Sequence, residues 1–317
     1  MEIVTDLDGC TPPAGGSAVT IGAYDGLHLG HRALLAELRR RAAADGLVTT
    51  VVTFDRHPAT VVRPASAPLL LCDPEQKLEL LAEAGVDRTI VLTFDDTRAD
   101  ETAEEFVSEV LVRALATRVV VVGENFHFGH GRKGDVALLA DLGASSGFTV
   151  DGVRLASADG SAGAGPISST RIRALVAAGD VAAAARLLGR PHQVRGPVVH
   201  GDARGGSELG YPTANIAVPE GIALPAPGIY AGVYQRPDGS QWPSAVSVGL
   251  RPMFYEEGPL LVEAHLLDFA GDLYGEPARL SFVERLRDEQ TFPSVDGLVA
   301  QMAADVAEAR RILDPGA

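Results

Sequence analysis

The stretch Gly22-Ala23-Tyr24-Asp25-Gly26-Leu27-His28-Leu29-Gly30-His31 indicates how the first half of this 317-residue chain folds. It follows the short apolar run 18–21 and precedes a helical pattern, so we predict a strand, a tight turn and a helix start. Its glycines allow close approach of the backbone to a ligand, and the first helical turn offers N–H groups to an anion. His28 and His31 would share one helix face. Two histidines at this spacing can also be structural, but the glycines and the preceding strand favour a phosphate site.

Composition sets limits on the class of protein. The length and a hydrophobic fraction of 46% predict two domains with packed cores. A net charge of −15 argues against nucleic acid or an anionic membrane as a partner, so local basic or backbone groups must bind any anionic substrate. Cys10 and Cys72 are far apart, so neither a disulfide framework nor a zinc site is indicated. The chain shows no leader segment and no run of about 18 apolar residues, so we expect a cytoplasmic protein.

From residue 18 to about 155, apolar strands alternate with amphipathic helices. This pattern predicts an α/β domain with a parallel sheet and helices on both faces. The predicted strands are 18–23, 47–54, 89–94 and 118–122, and the main helices are 31–44, one beginning at 73–74, and 102–116. Ligands bind at the carboxyl ends of such strands, where segments 25–31, 55–58 and 123–126 lie. We therefore expect Gly22, Asp25, Gly26, His57 and Asn125 to bind substrate.

Segment 129–134 matches G-x-G-x-x-G by its letters alone. A dinucleotide fingerprint requires the first glycine at the end of a strand, and residues 125–128 intervene here. Residues 123–129 instead resemble the Gly-Glu-Asn-Phe-x-Phe-Gly segment of a family that binds ATP and flavin, and this resemblance implies a binding loop with Phe126 and Phe128 as candidates for its apolar wall. Phe54 is a further candidate for that wall, although core packing explains it equally well. The alternative is a glycine-rich basic turn without a ligand.

A second phosphate motif lies at Pro166-Ile167-Ser168-Ser169-Thr170-Arg171-Ile172-Arg173. Hydroxyls at a helix start and two nearby arginines suit phosphate oxygens, although a capped basic helix without a ligand has the same pattern. Helices are predicted at 171–178 and 181–188, and the break at 189–191 suggests domains 1–188 and 189–317.

The second half has a different pattern, with short β-rich runs separated by turn residues. The runs 193–200, 228–234, 244–248, 260–268 and 279–286 predict a small antiparallel β-barrel. Helix 294–313 is amphipathic and should cover one side of the barrel. Thr213 and Asn215 are two residues apart on extended backbone, so their oxygens face one side and suit Mg²⁺, although such a segment alone is more often a turn.

These motifs together resemble the bacterial bifunctional riboflavin kinase and FMN adenylyltransferase family. The first motif matches G-x-[FY]-D-G-x-H-x-G-H, and the later matches are Gly-Glu-Asn-Phe-x-Phe-Gly at 123–129, I-S-S-T-x-I-R at 167–173, and P-T-A-N at 212–215. Segments 201–206, 262–269 and 272–275 are similar to that family's glycine-rich ATP loop and flavin-side strand and turn. The resemblance implies a Rossmann-like nucleotidyltransferase domain followed by a riboflavin kinase barrel with a C-terminal helix.

The same resemblance implies roles for individual residues. Riboflavin would be phosphorylated with ATP to FMN, and FMN would then receive AMP from a second ATP to give FAD. Glu263 would be the base in the kinase, although a carboxylate at this place can also be an ion-pair partner. The remaining implied residues are His28, His31, Arg171, Ser169, Thr170, Asn125, Phe126 and Phe128 for adenylyl transfer, Gly201, Gly205 and Gly206 for ATP in the kinase, and Thr213 and Asn215 for Mg²⁺.

The chain departs from the family pattern beside the kinase site. Where relatives read S-x-G-T-N-P-T-F, this chain has Ser247-Val248-Gly249-Leu250-Arg251-Pro252-Met253-Phe254, and Ser207 replaces a common basic residue. A lost hydrogen-bond donor in a preorganised site costs about 10²-fold or more in rate. Three alternatives therefore stay open, namely an FMN adenylyltransferase with a degenerate kinase module, a non-catalytic flavin or nucleotide sensor, and a preference for a modified flavin.

Overall fold

The computed structural model describes residues 1–7, 9–154, 166–201, 210–250 and 260–314. By contacts, the chain divides into two compact units. The first consists of Met1–Leu70 and Pro74–Ser168, and the second of Leu71–Asp73 and Ser169–Ala317. The division into catalytic domains after residue 188 stays a prediction.

The first unit is built on a six-stranded parallel sheet with the strand order β1-β4-β3-β2-β5-β6. Its elements in chain order are β1 (Glu2–Val4), β2 (Ser17–Ile21), α1 (Leu29–Asp45), β3 (Val48–Phe54), α2 (Ala59–Val62), a 3-10 turn (Pro64–Ser66), α3 (Pro74–Glu83), β4 (Arg88–Leu92), α4 (Asp96–Asp100), α5 (Ala103–Phe106) continuing as a π-helix (Val107–Ala114), β5 (Thr117–Gly123), a 3-10 turn (His130–Arg132), α6 (Val136–Ser146) and β6 (Thr149–Val153).

Two hydrophobic cores lie on opposite faces of this sheet. Neighbouring residues of a strand point to opposite faces, so Val51 packs with the leucines of α1 and Val52 packs with Phe106 and the π-helix. Leu34, Leu35 and Leu38 of α1 are buried, which agrees with the predicted amphipathic helix 31–44. The predicted parallel sheet with helices on both faces is confirmed.

The second unit contains a closed antiparallel barrel with the strand order β10-β11-β8-β7-β12-β9. Its elements are α7 (Ser169–Ala177), α8 (Val181–Leu188), β7 (His192–Val199), β8 (Ala214–Ile216), β9 (Gly228–Gln235), β10 (Gln241–Leu250), β11 (Leu260–Leu266), β12 (Pro277–Arg287) and α9 (Val295–Leu313).

Helix α9 lies against the barrel on one side, as its apolar spacing predicted. It contacts β9, β10 and β12, and Ser294 caps its start by accepting a hydrogen bond from the Gly297 N–H. Among the helices of the described ranges, none combines the length and the apolar character needed to cross a bilayer.

Candidate active sites

The loop between β2 and α1 has a constrained backbone. Two residues other than glycine adopt left-handed conformations, Tyr24 with φ 51° and Leu27 with φ 35°. Such conformations persist where the surroundings fix them. Here Tyr24 is only 2% exposed, and its hydroxyl lies 2.6 Å from the buried Thr20 hydroxyl at the end of β2. The loop is therefore held rigidly at the carboxyl end of the strand.

This loop brings the two histidines of the motif together. His28 is the N-cap of α1, and its Nδ1 accepts a hydrogen bond from the His31 backbone N–H at 3.2 Å. The two rings stack with their centroids 3.6 Å apart. Gly30 permits this arrangement, because a Cβ there would lie 3.2 Å from the His28 ring. Since Nδ1 accepts, a neutral His28 carries its proton on Nε2 and can donate it to an anion.

His31 is a neutral ring at pH 7. Its Nδ1 is buried and has no hydrogen-bond partner among the described residues. Burial, together with the neighbouring His28 ring, holds the pKa of His31 well below its ordinary value of 6.5. The ring therefore offers a neutral imidazole rather than a fixed positive charge.

We expect this imidazole, with its lowered pKa, to make the protein less stable in acid. Below pH 6.5 the unfolded chain protonates His31 while the folded chain does not, so the free energy of unfolding falls as pH falls. One such group contributes a slope of at most about 1.4 kcal/mol per pH unit. Thermal unfolding at pH 7.5 and 5.5 measures this fall in stability. His31→Gln should lose less stability between the two pH values than the wild type does. Equal losses in the two proteins would contradict the assignment.

A cleft of about 1060 Å³ lies at the carboxyl ends of the parallel strands in the first unit. The residues following β2, β3 and β5 meet there, as ligand sites in such sheets do. Phe126 and Phe128 stack at 5.5 Å, and Phe54 meets Phe94 edge to face at 5.1 Å. Of the residues predicted from sequence, the cleft is lined by Gly22, Phe54, His57, Asn125, Phe126 and Phe128. Asp25, Gly26 and His28 lie in the adjoining β2–α1 loop, and His31 lies in the first turn of α1.

The glycine-rich segment 129–134 forms one wall of this cleft by docking on the start of α5. Gly129 has φ +69°, and a Cβ there would lie 2.7 Å from the Ala103 nitrogen. The His130 N–H donates to the Glu101 carbonyl at 2.7 Å. Burial raises the pKa of Glu101, which pairs with Arg98 at 2.7 Å. Sequence reasoning did not find Ala103 and Glu101 as partners of this segment, because they follow β4 whereas the segment follows β5.

The three candidate binding residues of the second phosphate motif belong to the second contact unit. Ser169, Thr170 and Arg171 form the first turn of α7, and Thr170 and Arg171 are exposed. Their action on phosphates bound near His28 stays a prediction.

Two of the predicted kinase residues, Asn215 and Glu263, lie on the outer face of the barrel. Ala214 and Val262 point inward and are buried, so Asn215 and Glu263, their neighbours in sequence, point outward. Glu263 on β11 pairs in register with Asn215 on β8 and with Ser247 on β10. Side chains opposite each other on neighbouring strands are about 5 Å apart at Cβ, so these three form one polar row.

A cavity of about 260 Å³ lies between this row and α9. Glu263, Thr213 and Ser247 line it from the barrel side, and Leu298 and Met302 from the helix. Gly201 lies directly against Asn215, because a Cβ there would be 2.5 Å from the amide nitrogen. The barrel thus brings together Thr213, Asn215, Glu263 and Gly201. Gly205, Gly206, Ser207, Arg251 and Met253 lie outside the described residues, as does the side chain of Leu250.

A buried ion pair that the sequence analysis missed lines the same cavity. The Arg287 guanidinium donates to both oxygens of Asp305, at 2.8 and 2.6 Å, and the Gln301 amide donates to the same carboxylate at 2.9 Å. This pair joins the end of β12 to α9. A carboxylate inside the apolar stripe of α9 was the signal that sequence reasoning overlooked.

Comparisons with known proteins agree with this architecture. A family model described as FAD synthetase matches residues 11–171, and one described as riboflavin kinase matches residues 188–313. The chain is 39% identical to the bifunctional riboflavin kinase/FMN adenylyltransferase of Pseudomonas fluorescens, over 100% of this chain and 99% of that protein. It is 37% identical to the enzyme of the same name from Escherichia coli strain K12, over 94% and 93%.

One solved structure has the same fold along nearly the whole chain. The crystal structure of a macrolide-efflux protein from Streptococcus pneumoniae is 31% identical, with a TM-score of 0.85 over 97% of this chain and 98% of that one. The two family models match successive segments, and the curated relatives cover both. This chain therefore belongs to the family of bifunctional riboflavin kinase/FMN adenylyltransferases.

Proposed function

We propose that this protein makes FAD from riboflavin in two steps, each at its own site. The observation that carries the proposal is that each unit has a separate cavity built from the matching motifs, the cleft beside the His28 loop in one and the cavity at Glu263 in the other. Riboflavin and ATP give FMN and ADP in the barrel. FMN and a second ATP give FAD and pyrophosphate in the α/β unit. Cys10 and Cys72 are not joined in a disulfide, which fits the proposed cytoplasmic location.

In the kinase step, Glu263 accepts the proton of the ribityl 5′-hydroxyl as its oxygen attacks the γ-phosphorus of ATP. The bond to the β-phosphate oxygen breaks, and ADP leaves. Catalysis of phosphoryl transfer is otherwise positioning and charge stabilisation. The place of Glu263 in the polar row, on the wall of the cavity, supports this role.

In the adenylyl step, a phosphate oxygen of FMN attacks the α-phosphorus of ATP, and pyrophosphate leaves. No protein nucleophile is required. His28 donates from Nε2 to the charge that develops on the phosphates, and His31 lies stacked beside it. Asn125, Phe126 and Phe128 hold the flavin or ATP in the cleft, while Ser169, Thr170 and Arg171 act on the phosphates.

Mg²⁺ fits the donor set of the barrel. The described residues contain no group of three His, Cys, Asp or Glu side chains that could hold a metal by themselves. Thr213 and Asn215 supply neutral oxygens beside the Glu263 carboxylate, which suits a cation whose other ligands are nucleotide phosphates and water. We propose that Thr213 and Asn215 hold this cation, which supplies charge neutralisation when bound.

Replacing Gly201 by alanine should weaken this cation site. The added Cβ would lie 2.5 Å from the Asn215 amide nitrogen, so the amide must move. We expect the Mg²⁺ concentration for half-maximal riboflavin phosphorylation to rise about tenfold, within the range seen when the support of a metal ligand is lost. Asn215→Ala should give a similar rise. A normal Mg²⁺ requirement in both variants would exclude Asn215 as a ligand.

The proposed function is tested by incubating the purified full-length protein with ATP and Mg²⁺, once with riboflavin and once with FMN, and separating the flavins by chromatography. FAD from both substrates supports the bifunctional enzyme. FAD from FMN alone supports the second candidate, an FMN adenylyltransferase with a degenerate kinase, which Leu250, Arg251 and Met253 favour. Binding without turnover of either flavin would support a sensor or an enzyme for a modified flavin.

A further inference from the structure

Lysine is rare in this chain, and one of the few lysines lies beside the cleft of the first unit. Of the 27 basic residues, 25 are arginines and only Lys77 and Lys133 are lysines. Lys77 is half-buried on α3. An ammonium is a compact charge with three donors, whereas a guanidinium is a wide planar fork. Lysine at position 77 therefore departs from the general composition of the chain and requires a local reason.

The contacts of Lys77 connect two segments that line the cleft. Its ammonium donates to the Phe54 carbonyl at 2.7 Å and lies 3.3 Å from the Thr53 hydroxyl oxygen. The Thr53 hydroxyl in turn lies 3.3 Å from the Ala23 carbonyl. A threonine hydroxyl has a single proton, so Thr53 accepts from Lys77 and donates to Ala23. The Lys77 ammonium, the Thr53 hydroxyl and the Ala23 carbonyl thus form a series of hydrogen bonds that runs from α3 through β3 to the β2–α1 loop.

These hydrogen bonds fix two carbonyl groups at the edge of the cleft. Phe54 and Ala23 both line the cleft, and Ala23 lies between β2 and the strained Tyr24. A carbonyl that rotates towards a bound phosphate would repel it. The Phe54 carbonyl accepts from the Lys77 ammonium and the Ala23 carbonyl accepts from the Thr53 hydroxyl, which keeps both oxygens turned away from the anion and keeps the aromatic wall and the His28 loop at a fixed spacing.

We propose that Lys77, acting through Thr53, is a positioning residue for adenylyl transfer. The proposal rests on the proposed function of the first unit. The positive charge of Lys77 near the β2–α1 loop also favours binding of an anionic substrate in a protein of net charge −15. In this role Lys77 acts on the geometry of the residues that contact the substrates.

The test compares Lys77→Met, Thr53→Val and Thr53→Ser in FAD formation from FMN. Misplacement of reacting groups costs up to about 10²-fold in rate, so we expect Lys77→Met to lower kcat and kcat/KM together by about 30- to 100-fold. Thr53→Val keeps the positive charge of Lys77 but removes the hydroxyl that links Lys77 to the Ala23 carbonyl, and it should lower kcat by about tenfold. Thr53→Ser restores the hydroxyl and should return kcat to within about twofold of the wild type.

The controls separate positioning from folding. Riboflavin phosphorylation by the same preparations should stay at the wild-type rate, as should both activities of Arg113→Met, which removes an exposed cation of the first unit. If Lys77→Met does not fold, the Thr53 pair gives the result. Wild-type kcat in Lys77→Met, or equal impairment in Thr53→Val and Thr53→Ser, overturns the proposal. A wild-type protein that makes no FAD from FMN would instead refute the proposed function.

Discussion

Replacing Glu263 by glutamine is expected to lower riboflavin phosphorylation by about 10²- to 10⁴-fold, the usual contribution of a general base. Formation of FAD from FMN should continue at the wild-type rate. Glutamine has the shape of glutamate and keeps the place opposite Asn215 and Ser247 in the polar row, so the cavity should be preserved. What it removes is the ability to take a proton from the ribityl hydroxyl.

Initial rates of both reactions on one preparation give the measurement. Glu284→Gln is the matched control, because it removes the same charge from an exposed position on β12 of the same barrel. That variant should keep both activities. Wild-type phosphorylation in Glu263→Gln would show that the carboxylate is an ion-pair partner or a ligand and that the proton leaves by another route.

Much of the fold could be predicted because hydrophobic periodicity reports how a strand or helix is buried. Continuous apolar runs gave the parallel strands, and short alternating runs with turn residues gave the barrel. Three strands were missed, β1 at Glu2–Val4, β6 at Thr149–Val153 and β8 at Ala214–Ile216, and β1 and β8 have only three residues each. Three residues are too few to show a period, and β1 is recognised only by its pairing with β4, more than eighty residues later in the chain.

The candidate sites were partly predictable for a similar reason. A parallel sheet brings the carboxyl ends of its strands to one edge, so residues as distant as Gly22, His57 and Asn125 meet in one cleft. Lys77 and the pair Arg287 and Asp305 were not predictable in this way. Their roles depend on which side chains meet when separate elements pack, and sequence spacing within one element does not contain that information.

Two substitutions of His28 are expected to separate its structural role from its chemical role. The ring caps α1 through Nδ1, which leaves Nε2 as the donor. His28→Asn places an acceptor near the Nδ1 position, and asparagine is a good N-cap, so stability should stay within about 0.5 kcal/mol of the wild type. The short amide does not reach the position of Nε2. Adenylyl transfer should therefore fall by about 10²- to 10³-fold, as when a donor to a developing anion is removed.

His28→Gln should show the opposite combination, because its amide nitrogen reaches the Nε2 position but its side chain no longer caps the helix. We expect a loss of about 1 kcal/mol in the free energy of unfolding, with transfer faster than in His28→Asn. Asp135→Ala is the control for capping alone, since it removes the N-cap of α6 in the same unit and should cost stability without slowing transfer. The readouts are kcat for FAD formation from FMN and denaturant unfolding. If His28→Asn transfers adenylate at the wild-type rate, Nε2 takes no part in the reaction and the ring serves only to shape the loop. If it is slow but fully stable, the strained loop and the stacked pair exist to present one imidazole N–H to the phosphates.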